Sequence, residues 1–288
     1  MTLRKLYLAV TTLVLAATSA TAADRMNPAD ARRVQSAREK LVPAIEKEFG
    51  PKARLIHLYG HGTNALAGIM AEPPSEATGD IPLLAIVGWN ERTGAMRVVD
   101  REFKYREARS VGTQVALLEA NGDLRLREAN GRTRLLAQRV GGDLFPTPKG
   151  DALLATLTRT GNEAHETSIG IVDLTGRVKE IADGPGVDAM PSISPDGKTV
   201  VFVSGRTTVA SFFRTTVDGA EPVQLTNKGL SAWLLSQGEP ADFVPPPVSN
   251  YAMEWVDDDT LRYNAGGGEF WKLNVRTGEA SPDLGGGK

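Results

Sequence analysis

Residues 189–226 read AMPSISPDGKTVVFVSGRTTVASFFRTTVDGAEPVQLT and contain two Asp-Gly turns. The first turn separates residues 192–194 from the apolar run 199–204, and the second separates residues 211–217 from residues 221–226. Asp-Gly between β-branched and aromatic runs is a strong hairpin signal, because glycine adopts positive φ without steric cost. This stretch therefore predicts a four-stranded antiparallel meander.

The same pattern recurs along the chain. Residues 147–150, followed by the apolar run 151–157, match residues 194–197 and the run 198–204 at an offset of 47. Later turns share a glycine between two strand-like runs: Gly131, Gly176, Gly219 and Gly278. Their spacings are 45, 43 and 59 residues, and the last is long because residues 228–250 form an insertion. A meander repeated at this interval is typical of a propeller blade.

We therefore predict an all-β fold over residues 53–288, a β-propeller of four to five blades, each a four-stranded antiparallel meander. The additional blade covers residues 53–102, with Thr93-Gly94 as one of its turns. The alternative for residues 53–102 is a separate small domain, because the blade pattern is faint there.

One helical segment precedes the repeats, within residues 23–52. Asn27 is a suitable N-cap, Pro28 suits the first helical position, and apolar residues follow at helical spacing. Pro43 is expected to kink or split the helix, and Gly50-Pro51 to end it. We expect this helix either to pack on the propeller or to contact a partner protein.

The motif Ser194-Pro-Asp-Gly-Lys198, the apolar strand after it, Asp218-Gly219 and Gln224-Leu-Thr226 together resemble the repeat of the TolB-type periplasmic β-propellers. Similar repeats occur in the propeller domains of prolyl-oligopeptidase-like peptidases and of some polysaccharide lyases. The resemblance covers roughly residues 110–285 and implies the fold. It implies less about function, because propellers host unrelated activities. In the TolB family the N-terminal segment contacts a partner, which the resemblance also implies for the helix.

The first 22 residues have the pattern of a signal peptide. Arg4 and Lys5 precede an apolar run of 12 residues, and Ala20-Thr21-Ala22 is a small-residue cleavage site. The run is shorter than the roughly 20 residues that cross a membrane. We expect mature protein to begin at Ala23, to have no transmembrane segment, and to be periplasmic or secreted.

Composition limits the classes of function. The chain has no cysteine, which excludes disulfides and thiol chemistry. Without the leader, 31 Lys and Arg face 35 Asp and Glu, a formal net charge of −4. This charge argues against nucleic acid as a main partner.

The sequence contains few residues that could take part in catalysis. It has no Gly-x-Ser-x-Gly elbow and only three histidines. His57 and His61 lie on a predicted strand, where residues four apart are separated by about 13 Å, too far for one metal ion. His165 lies in a predicted loop, and Asp257-Asp258-Asp259 occupies a blade turn. We therefore predict no catalytic residue, no metal site and no cofactor.

Four arginines form the first candidate binding surface. With Asn130-Gly131 as a two-residue turn, Ala129 lies opposite Arg132, and one face carries Arg125, Arg127, Arg132 and Arg134. Like charges that face each other destabilise a sheet, so another group must offset them. Either solvent and acids such as Asp100, Glu102 or Glu107 do so, or the face binds an anionic partner: an acidic protein surface, peptidoglycan or a lipid headgroup.

The insertion at residues 228–250 is the second candidate surface, because loops longer than about 15 residues are often functional. Its large apolar side chains include Leu230, Trp233, Leu234 and Phe243. Each such side chain costs about 1.5–3 kcal/mol when it is left in water. We expect them to be buried on a propeller face or against a partner.

These features together predict an exported, non-enzymatic β-propeller that binds an envelope protein or polymer. One alternative is a propeller-fold lyase or lactonase that acts at the mouth of the channel. Convergence of a histidine with carboxylates in one pocket would favour that enzyme, and dispersed histidines would favour the binding module. Another alternative is an oligomeric structural subunit of the cell envelope.

Overall fold

The computed structural model describes residues 28–60, 62–71, 83–159, 166–207, 210–226, 253–264 and 270–283. The predicted signal peptide, Asn27, His61, His165 and the insertion at 228–250 lie outside the described residues. The chain divides into two compact units, Met1–Leu135 and Leu136–Lys288. Within the described ranges, no helix has both the length and the hydropathy that a membrane span requires.

Helix α1 (Pro28–Phe49) begins and ends where the sequence predicts. Gly50, with φ of 98°, ends it, and its N–H donates to the Glu46 carbonyl at 2.9 Å. The helix continues through Pro43, so the prediction that this proline could split it is wrong. Pro43 and Glu39 are both exposed, so water can reach the Glu39 carbonyl that loses its helical hydrogen bond.

The first unit contains a seven-stranded sheet, sheet A, whose strands neighbour one another in chain order. A 3-10 helix, Gly62–Asn64, lies between the first two strands. The strands are β1 (Arg54–Tyr59), β2 (Ala65–Met70), β3 (Leu84–Trp89), β4 (Met96–Val111), β5 (Gln114–Glu119), β6 (Leu124–Arg127) and β7 (Thr133–Ala137). The last of them crosses the division between the two units.

Strand β4 belongs to two meanders. Its first half pairs with β3, from Met96 opposite Trp89 to Asp100 opposite Ile86. Its second half pairs with β5, and Tyr105 has partners on both sides, in β3 and in β5. The segment predicted to form separate four-stranded blades is therefore one continuous sheet. The physical reason is that the 16 residues of β4 include no Gly, Pro or Asn to break the strand.

Successive side chains of β2 and β3 point to opposite faces of the sheet, and helix α1 packs on one of these faces. One face of the two strands presents small and apolar side chains to the helix, among them Ala65, Ala67 and Ala85. Helix residues Leu41 and Ile45 are buried against this face. The opposite face contacts residues from the second half of β4 and from β5. Both strands are buried on both sides, which accounts for their continuous apolar sequences.

The second unit contains three four-stranded meanders. Sheet B has β8 (Val140–Pro146), β9 (Ala152–Thr158), β10 (Thr167–Asp173) and β11 (Val178–Ala182). Sheet C has β12 (Asp188–Ile193), β13 (Thr199–Ser204), β14 (Ser211–Thr216) and β15 (Val223–Gln224). Sheet D has β16 (Met253–Trp255), β17 (Thr260–Asn264), β18 (Phe270–Asn274) and β19 (Ala280–Pro282). Sheet C confirms the meander predicted from residues 189–226.

The repeat of 47 residues has a structural counterpart. The turn N–H of Gly150 donates to the Thr147 carbonyl at 2.8 Å, and Gly197 donates to Ser194 at the same distance. The first strands of sheets B and C also bulge at equivalent places, where Asp143 has φ of 54° and Met190 has φ of 55°. The Asp143 carboxylate accepts a hydrogen bond from the Met190 N–H at 3.1 Å, which joins the two bulges.

Two apolar clusters hold the three meanders of this unit together. One cluster joins sheets B and C, with Phe202 and Phe213 packed against Ile181. The other joins sheets C and D, where the Phe212 and Tyr263 rings meet edge to face at 4.9 Å. Each meander therefore buries its faces against its neighbours in sequence, as stacked repeats do.

Candidate functional site

The hairpin between β6 and β7 carries the four arginines singled out from the sequence. The Glu128 N–H donates to the Arg132 carbonyl at 2.8 Å, so the turn contains three residues. The predicted two-residue turn, with Ala129 opposite Arg132, is therefore wrong by one residue. Gly131 has φ of 87° but Asn130 does not have positive φ. The Asn130 side chain accepts a hydrogen bond from the Arg132 N–H at 2.8 Å, which favours this longer turn.

The corrected register places Arg134 opposite the buried Leu126, because Glu128 lies opposite Arg132. The prediction that one face carries all four arginines is therefore wrong: Arg125 and Arg127 share one face, and Arg134 lies on the other. Arg125 and Arg127 alternate with buried Leu124 and Leu126, so both point away from the core. Arg134 is half-buried in β7, and Arg132 is exposed at the turn. Among the described residues, no acid lies within ion-pair distance of the Arg132 side chain.

Acidic side chains lie beneath three of these arginines. The ion pairs are Arg125–Glu119 at 2.8 Å, Arg127–Asp100 at 3.6 Å and Arg134–Glu128 at 3.4 Å. The acid side chains are 13–27% exposed, whereas the three arginine side chains are 31–32% exposed. Arg125 and Arg127 are therefore more exposed than their acids, whereas Arg134 and Glu128 are about equally exposed. Asp100 was one of the acids that the sequence suggested.

Asp100 lies in β4 and also makes hydrogen bonds within that strand. Its carboxylate accepts hydrogen bonds from the Tyr105 hydroxyl at 2.8 Å and from the Glu102 N–H at 3.0 Å. Burial and the bond to Asp100 raise the pKa of the Tyr105 hydroxyl, which stays a hydrogen-bond donor. Arg127, Asp100 and Tyr105 therefore span the place where β4 passes from one meander to the next.

A second polar cluster lies between β1 and the second half of β4. The Arg109 guanidinium is buried over the Tyr59 ring, 4.5 Å from its centre, and forms an ion pair with Glu107 at 2.6 Å. The ring of His57 lies 5.6 Å from the ring of Tyr59. Of the residues in this cluster, the sequence drew attention to His57, and to Glu107 as a possible partner of the arginine hairpin; Glu107 pairs with Arg109. Arg109 and Tyr59 lie in separate strands, and no motif links them.

The environment of this cluster fixes its charges. Burial, and then the Arg109 charge, lower the pKa of His57 to about 4. Burial raises the pKa of Tyr59. At neutral pH a neutral imidazole and a neutral phenol therefore lie beside a guanidinium. A neutral imidazole can accept a proton, and a guanidinium can bind a carboxylate.

Three consecutive acids lie in a turn of sheet D. Asp257, Asp258 and Asp259 lie in the turn between β16 and β17, as predicted. The Asp258 carboxylate accepts a hydrogen bond from the Asp196 N–H at 2.8 Å, and Asp259 forms an ion pair with Arg276 at 2.5 Å. In the described ranges, no group of three or more His, Asp or Glu side chains is placed to hold a metal ion.

Comparison with known proteins identifies the fold. TolB from Acinetobacter baumannii superposes with a TM-score of 0.54 at 13% identity, covering 80% of this chain and 55% of that one. An oligogalacturonate lyase in complex with manganese gives 0.51 at 14% identity, covering 77% and 62%. A puromycin-hydrolyzing peptidase of Mycobacterium tuberculosis gives 0.55 at 13%, covering 80% and 39%.

This chain therefore has a TolB-like fold, and it spans less than two thirds of each of these proteins. No family model matches the sequence, and no curated protein matches it. The similar structures include both enzymes and TolB, so the shared fold does not distinguish a binding module from an enzyme.

Proposed function

We propose that this chain is an exported, non-enzymatic β-propeller module of four to five blades that binds an anionic envelope protein or polymer. Export to the periplasm or outside the cell rests on the leader pattern of residues 1–22. The proposed binding face is the hairpin with Arg125, Arg127, Arg132 and Arg134. The observation that carries this proposal is the layering at Arg125 and Arg127, which are more exposed than the acids that pair with them.

This layering suits a binding surface for two reasons. A guanidinium has five N–H donors in a planar fork, which is more than one carboxylate can engage, so an arginine that is already paired can still bind an anion. The acids also hold the arginines in place before the partner arrives, which lowers the conformational entropy lost on binding.

The insertion at 228–250 is proposed as a second contact surface, through Leu230, Trp233, Leu234 and Phe243. Its apolar side chains and the arginine hairpin would serve different parts of a partner. Apolar and aromatic groups supply much of the binding energy in protein interfaces, whereas charged groups steer association.

Polygalacturonate, a polymer with a carboxylate on every residue, is a direct probe of the arginine face. We expect Arg132→Glu to weaken binding to immobilised polygalacturonate about tenfold or more, since one attraction becomes a repulsion. Arg177→Glu is the matched control. Arg177 is exposed and follows Gly176 as Arg132 follows Gly131, and its carbonyl accepts the equivalent turn hydrogen bond from Asp173. Equal losses from both variants would mean that only overall charge matters, and no loss from either would refute the proposed face.

A lyase is the second candidate, and the cluster of His57, Tyr59 and Arg109 favours it. Elimination from a uronic acid needs a base for the proton next to the carboxylate and a cation for the charge that develops. A neutral His57 beside the Arg109 guanidinium has the charges for these two roles. Incubation with polygalacturonate distinguishes the candidates, because a lyase releases unsaturated, ultraviolet-absorbing products. Product that disappears in His57→Gln would establish the lyase, and binding without product would favour the module.

A further inference from the structure

Asp188 is a fully buried acid at the start of β12, and only one of its two carboxylate oxygens has a partner. Oδ2 accepts a hydrogen bond from Arg206 Nη2 at 2.5 Å. Oδ1 is inaccessible to solvent, and no donor reaches it from the described part of the chain. A buried carboxylate oxygen without a donor is costly, since it has lost its hydration without replacement.

Arg206 is held by groups other than Asp188. Its Nε donates to the Ser204 hydroxyl at 2.9 Å, and its guanidinium carbon lies 5.5 Å and 5.2 Å from the centres of the Phe202 and Phe213 rings. The same carbon lies 2.6 Å from where a β-carbon on Gly184 would be. The guanidinium therefore packs directly on the connection between β11 and β12.

The other charges around Asp188 come from the ends of neighbouring strands. Arg159, after β9, pairs with Glu166 at 3.2 Å and also with Asp183. The Thr167 hydroxyl, at the start of β10, donates to the Asp188 carbonyl at 2.6 Å and accepts from its N–H at 3.0 Å. Two arginines thus face three carboxylates in this cluster. The surplus negative charge and the missing donor coincide at Asp188.

We propose that Asp188 is a proton-binding site, which takes up one proton from solvent on Oδ1 and thereby makes the junction of sheets B and C sensitive to pH. Protonation removes the uncompensated charge from the buried oxygen. It also weakens the hold on Arg206, because the neutral acid accepts a weaker hydrogen bond on Oδ2 than the carboxylate does. The contact of Arg206 with the backbone at Gly184 consequently loosens as the proton binds.

The direction of the pKa shift of Asp188 supports this proposal. Burial raises the pKa of Asp188, against the opposing effects of Ser204, Arg206 and Arg159. An ordinary buried ion pair would have the opposite effect, because a dominant Arg206 would hold the pKa of the acid below its usual value of 3.8. The two cases therefore differ in the sign of the pH dependence of stability.

Urea unfolding of the wild type and of Asp188→Asn, from about pH 4 to pH 8, shows whether Asp188 makes the protein more or less stable as pH falls. The Asn variant has the same shape and cannot titrate. A raised pKa means that the folded state binds more protons than the unfolded state in this range. We therefore expect wild-type stability to increase relative to the variant as pH falls. A decrease, or a difference that does not depend on pH, would overturn the proposal.

Carbon NMR of wild-type protein labelled at the aspartate carboxyl gives an independent test if the Asn variant does not fold. We expect one buried carboxyl to titrate with a midpoint above 3.8, and the amide of Gly184 to shift with the same midpoint. Asp183→Asn is the control, because Asp183 lies in the same cluster but is 57% exposed. It should leave that titration in place. Midpoints at or below 3.8 for every aspartate would refute the proton site.

Discussion

Gly278 approaches the backbone of Leu225 so closely that a β-carbon at Gly278 would lie 2.6 Å from the Leu225 carbonyl oxygen. Gly278 belongs to the turn before the last strand of sheet D, and Leu225 directly follows the last strand of sheet C. Gly219 has the equivalent position against Ile181, at 3.5 Å. Two of the turn glycines that revealed the repeat in the sequence, Gly219 and Gly278, are therefore also contact points between consecutive meanders.

The first prediction compares two turn glycines, one with this contact and one without it. Gly278 and Gly131 both have positive φ, but among the described residues nothing lies within 4 Å of a β-carbon at Gly131. Alanine strains the backbone at both positions, and only at 278 does it also force the two sheets apart. We expect Gly278→Ala to cost about 1–3 kcal/mol more than Gly131→Ala in urea unfolding. Equal losses would contradict the described contact.

The second prediction concerns the hydrogen bond that joins Tyr105 to Asp100. Tyr105→Phe leaves Asp100 with one donor fewer beside Arg127, so we expect a loss of about 1 kcal/mol in unfolding free energy. Tyr263→Phe is the control, because Tyr263 is also buried but its hydroxyl has no hydrogen bond within the described ranges. If both variants lose the same stability, the bond to Asp100 contributes nothing specific.

The third prediction is a pH dependence that originates at His57. The pKa of this histidine falls from 6.5 to about 4 in the folded protein. Between these values the unfolded state binds more protons than the folded state, so stability decreases as pH falls from about 6.5 to 4. Thermal unfolding of His57→Gln should lack this part of the decrease. A variant whose melting temperature follows the wild type across this range would show that His57 titrates normally.

The fourth prediction concerns Trp233, in the insertion that lies outside the described residues. If Trp233 is buried on the propeller, Trp233→Ala should destabilise the isolated protein by about 3 kcal/mol or more. If it contacts a partner, the melting temperature should stay constant while capture of the partner from envelope extracts is lost. A substitution that changes neither stability nor capture would remove the insertion from the proposed function.

Local turn chemistry made much of this fold predictable. The Asp-Gly turn at Gly219, with φ of 84°, and the Ser194–Gly197 turn both appear where the sequence places them. Such turns depend on a few adjacent residues, so one sequence is sufficient to find them. The continuity of β4 was missed, because Thr93-Gly94 identified one turn but nothing indicated that the strand after it would pair on both sides.

The candidate sites were harder to predict because they depend on contacts between distant residues. His57 and Arg109 are 52 positions apart and become neighbours only when β1 packs near the second half of β4. The register of the arginine hairpin depended on whether Asn130 would adopt positive φ, and the hydrogen bond from its side chain decided otherwise. A pattern of residue types contains neither of these interactions.

Strand β4 belongs to two meanders, which limits how the number of meanders in this chain could change in evolution. Between sheets B and C the chain passes from one meander to the next outside any strand, at residues 183–187, so a repeat could be duplicated or lost there without cutting a hydrogen-bonded ladder. In sheet A the corresponding boundary lies inside β4, near Tyr105. A cut inside β4 would break its ladders to both β3 and β5, so we expect the first two meanders to be duplicated or lost only together.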